Sequence, residues 1–96
     1  MSDEQAADVV ISMTAFEREV IKLCSKEKSW RYPRIAEKLD AKYDEVQAVG
    51  HKLQEMRLAY VHVIPYNGSA IFLNDRGESV KRAVLALDRL KARKNI

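Results

Sequence analysis

The sequence predicts a mostly helical α/β domain in which three helices are followed by a two-stranded hairpin and a closing helix. Three observations carry this expectation. Pro33 to Leu39 and Val46 to Met56 place apolar residues at helical spacing on either side of the polar turn Asp40 to Tyr43. Ala59 to Ile64 and Ser69 to Asn74 are rich in β-branched and aromatic residues and flank Asn67-Gly68, a pair that supplies the positive φ values of a tight hairpin turn. Glu78 to about Lys94 then returns to helical spacing through Val80, Ala83, Val84, Leu87 and Leu90. Helix, turn, helix and hairpin in this order make a winged helix-turn-helix.

With 96 residues, 47% hydrophobic and 32% charged, the chain has the make-up of one globular domain with a single modest core. No apolar run approaches the roughly 20 residues of a membrane span. The acidic opening, Met1 to Asp8, lacks the basic flank and apolar stretch of a secretory signal, so a cytoplasmic location is expected. Cys24 is the single cysteine, which excludes an internal disulfide and fits a small core residue. The net charge of +3 permits nucleic-acid binding without demanding it. From Arg76 to Ile96 seven cations stand against Glu78 and Asp88, giving +5 and leaving −2 for the rest. The positive charge therefore gathers at the closing helix rather than at the helix that would enter a groove.

Each element has its own signals. Residues 1–12 show no clear period and are expected to form a frayed tail before a winged-helix domain over residues 13–96. Thr14 followed three residues later by Glu17 fits a capping box, and Phe16, Val20, Leu23 and Cys24 give the first helix one buried stripe. Lys26 to Tyr32 reads as a connection, after which Pro33 occupies the first turn of a second helix buried through Ile35, Ala36 and Leu39. The third helix runs to about Arg57 with Val46, Val49, Gly50, Leu53 and Met56 on one face. A glycine inside a helix costs up to about 1 kcal/mol against alanine, so Gly50 is expected to allow close packing against the second helix.

In the hairpin, a two-residue loop would set Tyr66 opposite Ser69. Val61, Val63, Ala70 and Phe72 would then share one face, with Tyr60, His62, Ile64, Ile71 and Leu73 on the other. Both faces are partly apolar, so something beyond the three-helix core is expected to cover the hairpin. The stripe of the closing helix is too short for a coiled coil. Packing on the body of the domain and pairing with a second copy both remain open.

The stretch Ile35 to Gly77 resembles the winged-helix transcriptional regulators, most closely the MarR-like group. The matching features are Ile35-Ala36-Glu37-Lys38-Leu39, then Val46, Leu53 and Leu58, then Phe72-Leu73-Asn74-Asp75-Arg76-Gly77 after the wing. This resemblance spans under half the chain and rests mainly on apolar and turn positions. It implies a DNA-binding regulator whose third helix enters the major groove. Two departures stand out. Lys42, followed by Tyr43, Asp44 and Glu45, occupies the place of the usual serine or threonine cap, and the wing tip from Pro65 to Ser69 holds no arginine or lysine.

On that reading, Gln47 and His51 are the base-reading candidates, because a glutamine amide can donate to and accept from adenine. Lys26, Lys28, Arg31, Arg34, Lys42, Tyr43 and Lys52 are the candidates for contact with the DNA backbone, several of them interleaved with Trp30 and Tyr32. Each has a plainer reading as a solvated charge or a packing aromatic. His51, His62 and Cys24 make no zinc spacing, and no phosphate loop, nucleophile elbow or paired carboxylates point to catalysis. No metal, cofactor or enzyme activity is therefore expected. The expected partner is double-stranded DNA bound by a homodimer, without a membrane. An interaction module that docks a protein is the alternative. No small-molecule effector is identified, since the chain shows no separate ligand domain.

Overall fold

A computed structural model describes residues 1–65 and 68–94. The elements are α1 (Asp3–Ser12), α2 (Ala15–Leu23), β1 (Trp30–Arg31), α3 (Tyr32–Leu39), α4 (Tyr43–Glu55), β2 (Ala59–Ile64), β3 (Gly68–Leu73) and α5 (Asp75–Lys94). Helices α2, α3, α4 and α5 surround one core with the inner face of the sheet. Val20, Ile21, Ile35, Val46, Leu53, Ile71, Leu73, Val80 and Val84 are almost wholly excluded from water there. Burying each such aliphatic side chain contributes about 1.5–3 kcal/mol before the entropy of ordering is subtracted.

The caps of α2 are those the sequence announces. The Thr14 hydroxyl accepts the Glu17 N–H at 3.1 Å, and the Glu17 carboxylate accepts the Thr14 N–H at 2.8 Å. Residues expected to fray instead form α1, capped by a second reciprocal pair between Ser2 and Gln5. A ten-residue helix is marginal alone. It persists here because Ala6, Val10 and Met13 are buried and α1 lies along α5.

The connection after α2 contains a strand. Trp30 pairs with Ile71 and Arg31 with Ala70, so the sheet has three antiparallel strands in the order β1-β3-β2. The Leu73 N–H, beyond the last rung, donates to the Ser25 carbonyl at 2.8 Å. Two residues are too few for an alternating pattern to show in a sequence.

The register of β2 with β3 corrects the expectation of a two-residue loop. Ile64 lies opposite Gly68 and Val61 opposite Ile71, so three residues connect the strands; Tyr66 and Asn67 among them lie outside the described residues. The shift re-sorts the two faces: Phe72 joins Tyr60 rather than Val63, while Ala59, Val61, Ile71 and Leu73 face the core. Gly68 is the first residue of β3; it has φ +79°, and a Cβ there would stand 2.9 Å from the Tyr43 hydroxyl, so it serves as a close-approach residue.

Helix α5 starts at Asp75, three residues before Glu78. Asn74 ends the strand and caps the helix at once, its Oδ1 accepting the Gly77 N–H at 2.8 Å and its Nδ2 donating to the Arg57 carbonyl at 2.7 Å. A side chain at Gly77 would overlap the Leu58 carbonyl oxygen, which accounts for glycine in that first turn. Among the described residues, no helix is long and apolar enough to cross a membrane.

Candidate nucleic-acid interface

The site is built on α4, whose inward side is fixed by Val46, Val49, Gly50 and Leu53. Its first turn is acidic. Asp44 and Glu45 suit the positive end of the helix dipole, and the Glu45 carboxylate accepts the Lys42 N–H at 3.3 Å. The Lys42 ammonium cannot return the bond as a serine or threonine would, because it carries donors only. This end is therefore held by half a capping box.

Gly50 takes its meaning from Tyr32. The Tyr32 ring, 2% exposed, lies where a side chain at position 50 would be, so the start of α3 sits directly on the middle of α4. Burial pushes the Tyr32 hydroxyl up to about 12, so it stays protonated. Exposed Arg31 and Arg34 flank this contact in sequence. Gln47, one turn before Gly50, and His51, next to it, are both exposed on the opposite side of α4 together with Ala48 and Glu55. The packed side of α4 thus meets the start of α3, and its polar side is exposed.

Other candidates have partners within the chain. Tyr43 is half-buried; its hydroxyl accepts the Ser69 N–H at 3.2 Å and its ring meets Tyr32 edge-on with centroids 5.9 Å apart. Among the described residues its own hydroxyl proton has no acceptor. The Lys52 ammonium pairs with Glu17 at 2.8 Å. Burial disfavours ionisation of Glu17, but Lys52 and Thr14 outweigh it and hold the carboxyl below its usual range. Lys26 is drawn to the start of α5, where its ammonium pairs with Asp75 and its N–H donates to Glu78 at 2.6 Å. Lys28, Arg31, Arg34 and Lys42 are exposed and show no ion pair among the described residues.

Glu17 holds Lys52 in addition to capping α2 as its spacing from Thr14 predicts. The opposite charge in reach of its second oxygen lies 35 positions away, beyond any local pattern. A row of rings on the outer sheet face, Tyr60, Phe72 and His62, was also hidden, because it exists only in the observed register. No group of His, Cys, Asp and Glu side chains among the described residues could hold a metal ion.

No protein-family model matches the sequence, and no curated protein does either. Solved structures do match. The YusO protein from Bacillus subtilis superposes with a TM-score of 0.75 at 20% identity, over 94% of this chain and 65% of that one. A MarR family transcription regulator gives 0.73 at 18%, over 94% and 60%. The Staphylococcus aureus MepR–DNA complex gives 0.72 at 14%, over 96% and 70%. The fold is that of a MarR-like winged helix. In its terms α3 and α4 are the helix-turn-helix and β2 and β3 the wing. The chain spans less than two thirds of the first two of these structures, and at such identity the likeness concerns the winged-helix fold alone.

Proposed function

We propose that this chain is a DNA-binding transcriptional regulator that acts as a homodimer in the cytoplasm. The supporting observation is the side of α4 left free: Gln47 and His51 stand in solvent while Val46, Val49 and Leu53 anchor the helix. A structural neighbour whose fold superposes over nearly the whole chain is a complex with DNA. Gln47 and His51 read base edges, and Lys28, Arg31, Arg34 and Lys42 contact phosphates, with Tyr43 donating its hydroxyl proton to the backbone. Lys26 and Lys52 must first leave their carboxylates, which makes them the weaker contributors.

Pairing is assigned to α1 and α5. Between them runs an apolar groove of about 620 Å³ containing Val10, Ile11, Ala83, Leu87 and Leu90; Ile11 is 78% exposed and Leu90 55%. A second copy covering it would set two α4 helices on one duplex.

Titration against mixed-sequence duplexes at two salt concentrations tests this reading. With four phosphate contacts from each of two protomers, affinity should fall roughly 150-fold for each doubling of salt. Arg31→Ala with Arg34→Ala should weaken binding across sequences, and Gln47→Ala should change sequence preference. Duplex affinity untouched by both variants would refute the assigned surface.

One observation favours a second reading, a winged helix that docks a protein. Asp44 and Glu45 are exposed at the very end of α4 that would approach phosphates. Co-purification of a protein partner together with no duplex binding at low salt would select that reading.

A further inference from the structure

The outer face of the sheet carries aromatic rings that the core does not use. Tyr60 lies opposite Phe72, His62 opposite Ala70, and Arg31 on β1 opposite Ala70 from the other side. Side chains alternate along a strand, so these five residues share the face turned away from Val61, Ile71 and Leu73. The Phe72 ring lies 5.3 Å from Tyr60 and 5.1 Å from His62, nearly parallel to the histidine at 20°. Tyr60 is 55% exposed and His62 is exposed, so both rings present surface to water.

Beside the rings is a groove of about 570 Å³, bordered also by Gln54 and Arg57 at the end of α4. Its described lining holds one cation and no carboxylate. Arg57 and Arg31 are both exposed.

We propose that this face is a stacking platform for the unpaired bases of a single-stranded nucleic acid. Every base has a flat π-face, so rings such as Tyr60 and His62 hold bases with little regard to sequence, while Arg31 and Arg57 meet the phosphates. Charge separates this occupant from a second copy of the chain. A second copy of this face would bring a further arginine and no carboxylate to the groove at Arg57, whereas a polyanion complements both Arg57 and Arg31. The platform goes beyond duplex reading: it shares Arg31 with the duplex surface, but its rings and Arg57 are distinct from Gln47 and His51.

The test is fluorescence anisotropy of a labelled twelve-nucleotide oligothymidylate with the full chain. Tyr60→Ala should weaken binding roughly 5- to 150-fold, as expected for the loss of one stacked base, and Tyr60→Phe should retain it. Tyr60→Ala gives up its cross-strand contact with Phe72 and should melt a few degrees lower, Tyr60→Phe should melt with the parent, and duplex affinity should not change in either variant. With only two phosphate contacts, affinity should fall about two- to three-fold per doubling of salt, less steeply than for a duplex. Gln47→Ala should leave the oligothymidylate affinity alone, so failure of this platform and failure of duplex reading are seen separately. The proposal is overturned if the oligonucleotide does not bind, if Tyr60→Ala binds it as tightly as the parent, if Gln47→Ala weakens it equally, or if Tyr60→Ala changes the sedimenting mass.

Discussion

The Tyr32 ring occupies the space above Gly50 that any larger residue would need. Glycine is tolerated inside α4 because it lets the Tyr32 ring at the start of α3 lie directly on the α4 backbone. Alanine would gain about 1 kcal/mol in helix propensity, but overpacking against a ring with no room to move costs about 1–3 kcal/mol. Gly50→Ala should therefore lower the urea midpoint. Because the hydroxyl is among the overlapped atoms, adding Tyr32→Phe should restore part of the loss. A Gly50→Ala protein that melts above the parent would show that the contact is loose.

Asn74 joins the end of α4, the end of β3 and the start of α5 through both ends of its amide. Asn74→Ala removes the cap on Gly77 and the donor to the Arg57 carbonyl. Arg57 itself stands at φ +60°, which a side chain adopts only at a cost. Capping losses run at about 0.5–2 kcal/mol, and a loss at the upper end of that range is expected in chemical denaturation. Asn74→Asp should recover the Gly77 contact but not the Arg57 one.

Acid should weaken the tie between α2 and α4. The Glu17 pKa is depressed in the folded state, so its contribution is present above the ordinary value of 4.5 and is lost as pH falls below that value through the folded one. The parent should lose melting temperature over this window faster than Glu17→Gln, which has no carboxylate to protonate. Equal slopes for the two proteins would remove Glu17 from the account.

The Cys24 thiol is fully buried, and burial pushes its pKa up to about 12 despite the nearby Lys81. Its folded value lies above the ordinary 9.0, so the neutral thiol supports the fold below pH 9 and that support is lost as pH rises from there. A disulfide reagent at pH 8 should react with the native protein only as fast as the protein unfolds. Rapid native-state labelling would contradict this packing.

Much of the fold was legible because the chain signals its elements locally. The Thr14–Glu17 box, Pro33, the stripe through Val46 and Leu53, and Gly50 each behave in the structure as their chemistry dictates. Helix α1 was overlooked although its signals were present: Ser2 and Gln5 have capping-box spacing, and Ala6, Val10 and Met13 are spaced for one face. What hid them was the acidic composition and the need for α5 as a partner. Strand β1 and the wing register depend on pairings across the chain, which no local pattern encodes. The exposure of Gln47 and His51 followed from helical periodicity, whereas the partners of Lys26 and Lys52, at Asp75 and Glu17, could emerge only from the folded arrangement.

The hydrogen bond from the Ser69 N–H to the Tyr43 hydroxyl fastens the hairpin to the first turn of α4. A macromolecule lying against both therefore meets surfaces already tied to each other, and one of a different width must bend or break a bond worth about 0.5–1.5 kcal/mol.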